Sequence, residues 1–314
     1  MTPAALLIAG PTASGKSAAA ISIARAFGAT IVNADSMQVY KDLRVLTARP
    51  TPDDEAAAPH ALYGAVDGAT SFSAGLWARA ASEIAREALS RGPLIFVGGT
   101  GLYFRALTEG LSPMPDVPAE VRARVRMTAE ARTSGELHAS LIARDSRTAA
   151  RLRPSDRQRI IRALEVFEAT GAPLASFQTG GGQPVLGDVA WAGLFLAPER
   201  SRLNAAIDAR FEAMLRDGAL DEVEALIARG LDPALPVMRA HGAPHLAAHL
   251  AGRLSLAEAA ERAKLDTRHY VKRQFTWARH QMRDFAWTAP EAAVEAGLSA
   301  LERLLRRPAD ATAR

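Results

Sequence analysis

Leu6-Leu7-Ile8-Ala9, then Gly10-Pro11-Thr12-Ala13-Ser14-Gly15-Lys16-Ser17, then an Ala-rich stretch with helical spacing: this run decides the fold of the chain. An apolar strand, a G-x-x-x-x-G-K-S turn and a helix in that order make a phosphate-binding loop. The glycines let consecutive backbone N–H groups turn inward on a phosphate oxygen, and the helix N-terminus adds its positive end. Lys16 adds a full charge, and Ser17 is the candidate ligand for Mg²⁺, the expected cofactor. Gly10 to Ser17 is therefore the expected site for a diphosphate or nucleotide.

Working outward, the first ninety-odd residues repeat a strand-then-helix pattern, which argues an α/β fold around a parallel sheet. Strands are expected at Leu6–Ala9, Thr30–Ala34 and Leu94–Val97. Helices are expected from Ser14 to Phe27, stopped by Gly28, and from Ala74 to about Ser90. After Leu111 the pattern changes: Pro113, Pro115 and Pro118 break the chain, and mainly helical segments run to a loop at Thr179-Gly180-Gly181-Gly182-Gln183-Pro184. A strand at Val189–Phe195 then returns to the sheet, and long helices follow from about Ser201. The expected organisation is a P-loop NTPase-like core over 1–112, an inserted helical domain over 113–188, and a return to the core with helical C-terminal portion over 189–314.

Composition narrows the class. With 314 residues and 48% apolar content there is ample material for buried cores. No cysteine is present, which excludes disulfides, thiolate catalysis and cysteine-based zinc sites. No window has the length of apolar residues that a membrane span needs, and no charged leader precedes the first strand. A cytoplasmic protein without a membrane partner is expected. The sequence pI is about 9.7, and the basic residues cluster. Between Glu120 and Glu168 there are eleven Arg and no Lys against seven acids, and Arg151 to Arg162 alone holds five Arg with only Asp156 opposing them.

Within that cluster Ser155 and Gln158 have the spacing of a capping box, opening a helix that Gly171 would end. Ile160, Leu164 and Phe167 would face inward, leaving Gln158, Arg159 and Arg162 near one another on the surface. In the last third, Arg262 to Arg283 has seven Lys/Arg against Asp266. There Val271, Phe275, Ala278 and Met282 take core-facing positions, and Arg268, Lys272, Arg279 and Arg283 share the other side. A solvated basic face and a nucleic-acid contact both fit such a pattern.

Ligands of open parallel sheets bind beyond the carboxyl ends of the strands. Three segments should meet there: the phosphate loop, Asp35-Ser36-Met37-Gln38-Val39-Tyr40, and Gly98-Gly99-Thr100-Gly101-Leu102-Tyr103. Asp35 suits a proton acceptor or metal contact near phosphates, and equally a turn cap. Gly98 and Gly99 permit close backbone approach, and Thr100 offers a hydroxyl. His241, His245 and His249 recur every four residues, but Gly242 and Pro244 interrupt them, so a loop is expected there rather than a metal site. No G-x-G-x-x-G, H-E-x-x-H or nucleophile elbow occurs.

Four segments in order, GPTASGKS (10–17), DSMQVY (35–40), GGTGLY (98–103) and TRHYVKRQFTWAR (267–279), resemble the tRNA dimethylallyltransferase family. Pro59-His60, Gln158-Arg159-Ile160-Ile161-Arg162 with Ala163-Leu164-Glu165, and Arg210-Phe211 with Met214-Leu215 and Gly218 extend the similarity over nearly the whole chain. The resemblance implies transfer of a dimethylallyl group from its diphosphate to N6 of adenosine 37 of tRNA, next to the anticodon. It implies Asp35 as general base, Thr100 and Arg210 on the leaving diphosphate, and the anticodon stem-loop on the inserted domain. Asp35, Ser36, Met37, Gln38, Thr100, Arg122, Gln158, Arg159, Ile160, Ile161 and Arg162 are the matching tRNA contacts, with Arg268, Lys272 and Arg279 adding backbone contacts. A monomer is expected.

This chain departs from the family in two places. Where many members read I-G-T-A-K-P, it reads Val45-Leu46-Thr47-Ala48-Arg49-Pro50, with leucine in place of a glycine. Met238 to Pro244 also differs from the I-G-Y form common elsewhere, so no base-reading role is given to it. Two alternatives share the loop: a phosphate-loop kinase of small metabolites or nucleotides, and an RNA-binding NTPase switch. The basic helical insertion and basic C-terminal helix argue against the first. The lack of a second acidic strand end argues against the other.

Overall fold

The structure, a computed structural model, describes residues 3–178 and 180–306; Thr179 of the expected loop and residues 307–314 lie outside the described residues. Six strands form one sheet: β1 (Ala4–Ala9), β2 (Thr30–Asn33), β3 (His60–Ala61), β4 (Leu94–Gly98), β5 (Ala190–Leu196) and β6 (Phe285–Thr288). Their order is β3-β2-β4-β1-β5-β6, and every pair is parallel. β1 lies between β4 and β5, with Ile8 opposite Val97 on one side and Leu194 on the other. Every residue of β1 and β4 is buried, as continuous apolar runs covered on both faces should be.

The phosphate loop leaves the carboxyl end of β1 and enters a helix at Lys16–Phe27, two residues later than the expected Ser14. Gly15 takes a left-handed conformation at φ 81° and Ala13 another at φ 61°. These turns occupy the residues that spacing alone assigns to the helix. Gly28 ends it in the left-handed conformation as expected. Ile23 and Ala24 pack with Leu6 and Ile8 and with Leu301 and Leu304 of the helix Ala293–Leu305, forming the core on one face of the sheet.

Two compact units result: Met1–Thr108 with Val185–Arg314, and Glu109–Pro184. Both bounds of the inserted unit fall four residues before the expected 113 and 188. The Val185 and Leu186 N–H groups already donate to the Ala106 and Leu107 carbonyls at 3.0 and 3.1 Å, which attaches them to the sheet-bearing unit. The inserted unit is helical and closes on its own core, including Leu137, Leu141, Ile160, Ala163 and Val166. Its helix Arg157–Thr170 is capped by Asp156, not Ser155: the Asp156 carboxylate accepts the Arg159 N–H. Aspartate caps at least as well as serine, so the start shifts by one residue. Ile160 and Leu164 face inward as expected, while Val166 is fully buried and Phe167 only half-buried.

The C-terminal helices of the first unit include Arg200–Arg216, Ala219–Ala228, Ala243–Leu250 and Leu256–Gln281. Ala243–Leu250 replaces the loop expected around the three histidines. Pro244 sits in its first turn, where a missing N–H costs nothing. Ser255 and Glu258 form a capping box that starts Leu256–Gln281. Among the described residues no helix is long and apolar enough to cross a membrane.

Candidate active site

Asp35 follows β2 and its position is fixed from below. The Asn33 side chain, fully buried, donates to the Asp35 and Leu62 carbonyls at 2.9 and 3.0 Å and accepts the Asp35 N–H at 2.8 Å. The Trp77 indole N–H in turn donates to the Asn33 carbonyl at 2.9 Å. Asp35 Oδ1 accepts the Met37 N–H at 2.9 Å, so the turn-capping role is real, and it uses one carboxylate oxygen. Thr100 Oγ1 accepts the Ser36 N–H at 3.0 Å, and the Thr100 N–H donates to the Ala34 carbonyl. A Cβ at Gly98 would lie 2.0 Å from that Ala34 oxygen. Gly98 is thus required where the ends of β2 and β4 meet, and the close approach is to protein backbone rather than to ligand.

Two cations flank Asp35. Desolvation lowers the Lys16 pKa from 10.5 to about 8, with Asp35 opposing the fall and Arg210 adding to it. Burial likewise lowers the Arg210 pKa, again opposed by Asp35. Lys16 Nζ donates to the Pro11 carbonyl at 3.1 Å across the mouth of the loop. Ser14 Oγ is buried without a hydrogen-bond partner among the described residues. Ser17 lies exposed on the first helical turn beside Lys16. Its hydroxyl is the hard oxygen donor that Mg²⁺ takes together with phosphate oxygens, so the residue fits the ligand role.

A cavity of about 170 Å³ opens beside Asp35 and Arg210, and Lys16, Ser17 and Thr100 are not among the residues that line it. Thr12 and Ala13 line it from the loop, Asp35, Ser36 and Met37 from the β2 end, and Arg210 from the helix Arg200–Arg216. The rest of the lining is part apolar, with Leu46, Ile207, Phe211 and Met214, and part polar, with Thr47, Arg239, His241, Thr267 and Tyr270. The His241 ring stands 4.5 Å from that of Tyr270. Burial lowers the His241 pKa and, with the Asp35 charge, raises that of the Tyr270 phenol. Both groups are therefore neutral at ordinary pH. Tyr270 also stands beside the Thr100 hydroxyl.

Sequence reading assigns none of Arg239, His241, Leu46, Thr267 or Tyr270 to the pocket individually. A signal existed on the long helix. Thr267, Tyr270, Gln274 and Trp277 recur at three- and four-residue spacing, so polar groups share an inward face. Gln274 Nε2 donates to the Gly99 carbonyl at 3.0 Å, and Gln274 Oε1 and Trp277 Nε1 are buried without partners among the described residues. His241 lines the pocket, His245 pairs with Asp266, and His249 bonds the Leu254 carbonyl. The three side chains do not converge on a metal.

Several expected tRNA contacts have other partners. Gln38 Nε2 donates to the Thr47 and Ala48 carbonyls at 2.9 and 2.8 Å, so its amide donors hold a loop. Ile160 is fully buried in the core of the inserted unit and its side chain is out of reach of any ligand. Arg268 is engaged by both Asp208 oxygens and leaves the basic face. Lys272 and Arg279 are exposed, with Arg279 over the Phe275 and Trp287 rings. Gln158 and Arg159 are exposed, while Ile161, Arg122 and Arg162 are half-buried. Arg162 faces the buried Glu165 carboxylate at 3.7 Å, and Arg126 binds its other oxygen at 3.0 Å.

A parallel sheet whose central strand feeds a glycine-rich turn and helix, with an acid at the next strand end, defines a P-loop NTPase-like α/β core carrying a half-apolar cavity. The family model described as IPP transferase matches residues 38–281, and one described as isopentenyl transferase matches residues 3–59. The tRNA dimethylallyltransferase of Methylocella silvestris is 60% identical over 290 residues, covering 92% of this chain and 96% of that one. That of Beijerinckia indica is 58% identical over 301 residues, covering 96% and 100%. The crystal structure of the tRNA delta(2)-isopentenylpyrophosphate transferase from Staphylococcus epidermidis matches with a TM-score of 0.68 at 28% identity, over 98% of this chain and 100% of that one. The chain belongs to the IPP transferase family.

Proposed function

We propose that the protein transfers the dimethylallyl group of dimethylallyl diphosphate to N6 of adenosine 37 of tRNA, releasing diphosphate. The observation that carries this reading is a cavity lined together by the phosphate-loop residues Thr12 and Ala13, by Asp35 and by the apolar side chains Leu46, Ile207, Phe211 and Met214. A phosphoryl acceptor pocket has no need of that apolar lining. The relatives are tRNA dimethylallyltransferases, and neither the kinase nor the hydrolysing switch is favoured.

In this reading the loop amides, Lys16, Arg210 and the Thr100 hydroxyl hold the diphosphate and offset the charge that develops as its bond to carbon breaks. The N6 lone pair forms the new bond to the allylic carbon, the carbon–oxygen electrons leave with the diphosphate, and the N6 proton passes to Asp35. An aromatic amine is a poor nucleophile, so a carboxylate that accepts its proton as positive charge builds is worth roughly 10²–10⁴-fold. When bound, Mg²⁺ at Ser17 supplies charge neutralisation on the leaving group. Adenosine must leave its stack to enter the cavity, the way enzymes reach a base that is otherwise covered. Neutral His241 and Tyr270 give its ring an uncharged wall.

The inserted unit supplies the anticodon stem-loop contacts through Arg122, Gln158, Arg159 and Arg162, with Lys272 and Arg279 adding phosphate contacts. The protein works as a cytoplasmic monomer. Incubation with Mg²⁺, dimethylallyl diphosphate and unmodified tRNA, followed by mass analysis of the nucleosides, tests the reading. One adenosine heavier by a dimethylallyl group is expected. Unchanged tRNA together with phosphate transfer from ATP to a small acceptor would overturn it.

A further inference from the structure

We propose that Leu46 sets the length of the alkyl chain this enzyme accepts, a reading that rests on the prenyl diphosphate reaction above. Leu46 is one of the two departures noted in the sequence, and the structure brings it against the other. A Cβ built on Gly242 would lie 3.1 Å from Leu46 Cδ1 and 3.1 Å from Phe211 Cε2. The leucine side chain and the phenylalanine ring therefore both bear on the same bare backbone. Gly242 also has φ 95°, a conformation that disfavours any side chain which could push Leu46 aside.

The backbone beneath Leu46 is clamped. The N–H groups of Arg44, Val45 and Leu46 all donate to the Glu222 carboxylate, at 2.7, 2.8 and 3.0 Å. Gln38 holds the Thr47 and Ala48 carbonyls, and Thr47 Oγ1 donates to the Leu43 carbonyl at 2.7 Å. A loop tied at consecutive residues cannot swing out to admit a longer ligand. Leu46 itself is 5% exposed and lines the cavity.

Beside it, Ile207, Phe211 and Met214 recur along one face of the helix Arg200–Arg216, and Arg210 adjoins Phe211. A diphosphate held at the loop and Arg210 lays its hydrocarbon along that face. Where Leu46 and Phe211 converge on the Gly242 backbone, that face ends. Five carbons are accommodated and ten are stopped.

The test compares five-carbon and ten-carbon allylic diphosphates as donors to the same tRNA, as a ratio of kcat/KM measured on one preparation. The ratio does not depend on the folded fraction. A buried methylene is worth about fourfold in binding, and Leu46→Ala removes three side-chain carbons. The wild-type preference for the shorter chain should fall by at least tenfold in Leu46→Ala, with the ten-carbon product seen by nucleoside mass. Met214→Ala enlarges the same apolar lining and should act in the same direction, which keeps the test sound if Leu46→Ala folds poorly. Wild-type transfer of five carbons with the preference unchanged in both variants overturns the role of Leu46 and leaves the reaction standing. So does a Leu46→Ala variant that changes only the KM for tRNA. Absence of transfer from either donor by the wild type refutes the reaction itself.

Discussion

Lys16→Met should stabilise the folded protein while removing its grip on diphosphate. The charged amine sits where desolvation brings its pKa from 10.5 to about 8, and that fall corresponds to about 3 kcal/mol of native-state cost at neutral pH. Replacing it with an uncharged side chain of similar length removes the cost and also the Nζ bond to the Pro11 carbonyl, worth about 1 kcal/mol. The variant should therefore be about 2 kcal/mol more stable at pH 7. The sign with pH follows from proton counting. Between pH 8 and 10.5 the unfolded chain holds the Lys16 proton more tightly than the native one, so wild-type stability gains relative to the variant as pH rises. The penalty is fully present below pH 8 and shrinks above it. Urea unfolding of both proteins at intervals from pH 7 to 9.5 measures the difference, and subtraction removes the other titrating groups. A difference that is zero at pH 7, or constant across the series, would refute the desolvated lysine. Calorimetric titration with pyrophosphate supplies the functional half: Lys16→Met should bind at least tenfold more weakly at pH 7, and that gap should narrow above pH 8, the comparison at each pH cancelling the titration of pyrophosphate itself.

Asp35→Asn keeps an oxygen for the Met37 N–H, so the turn should survive while kcat falls roughly 10²–10⁴-fold with tRNA affinity little changed. Single-turnover kinetics beside filter binding separates the two, and an equal loss of both would count against the base. Arg162→Ala should weaken tRNA binding and lower the slope of log affinity against log salt by about one. Fluorescence anisotropy across a salt series reads it, and an unaltered slope removes the phosphate contact. Chelation of divalent ions should stop transfer, with tRNA binding retained and activity restored by added Mg²⁺. Full turnover after chelation would show that Ser17 holds no catalytic ion.

The parallel sheet was legible because its strands are buried on both faces and leave continuous apolar runs such as Leu94 to Val97. The phosphate loop was legible because its chemistry requires glycine, lysine and serine at fixed spacing in one short segment. Asp35 was legible because it follows a strand that must end beside that loop. The start of the helix Arg157–Thr170 was misplaced by one residue because Ser155 and Asp156 both satisfy the local rule for a cap. Gln38, Ile160 and Arg268 carried the residue type or motif for contact with RNA, and the side chain of each also has a partner within the protein. Sequence order does not reveal such partners.

Local covalent pattern alone therefore determined the nucleotide-type core, its loop and the acid poised beside it, since turn geometry depends on near neighbours in the chain and a strand to be buried on both faces must be apolar throughout. Tertiary structure decided which side chains form the rest of the cavity. Leu46, Phe211, His241 and Tyr270 lie far apart in sequence and come together only when the C-terminal helices close over the sheet. Their roles follow from mutual exclusion of water and from who touches whom, and those are properties of packed space that a linear pattern does not encode.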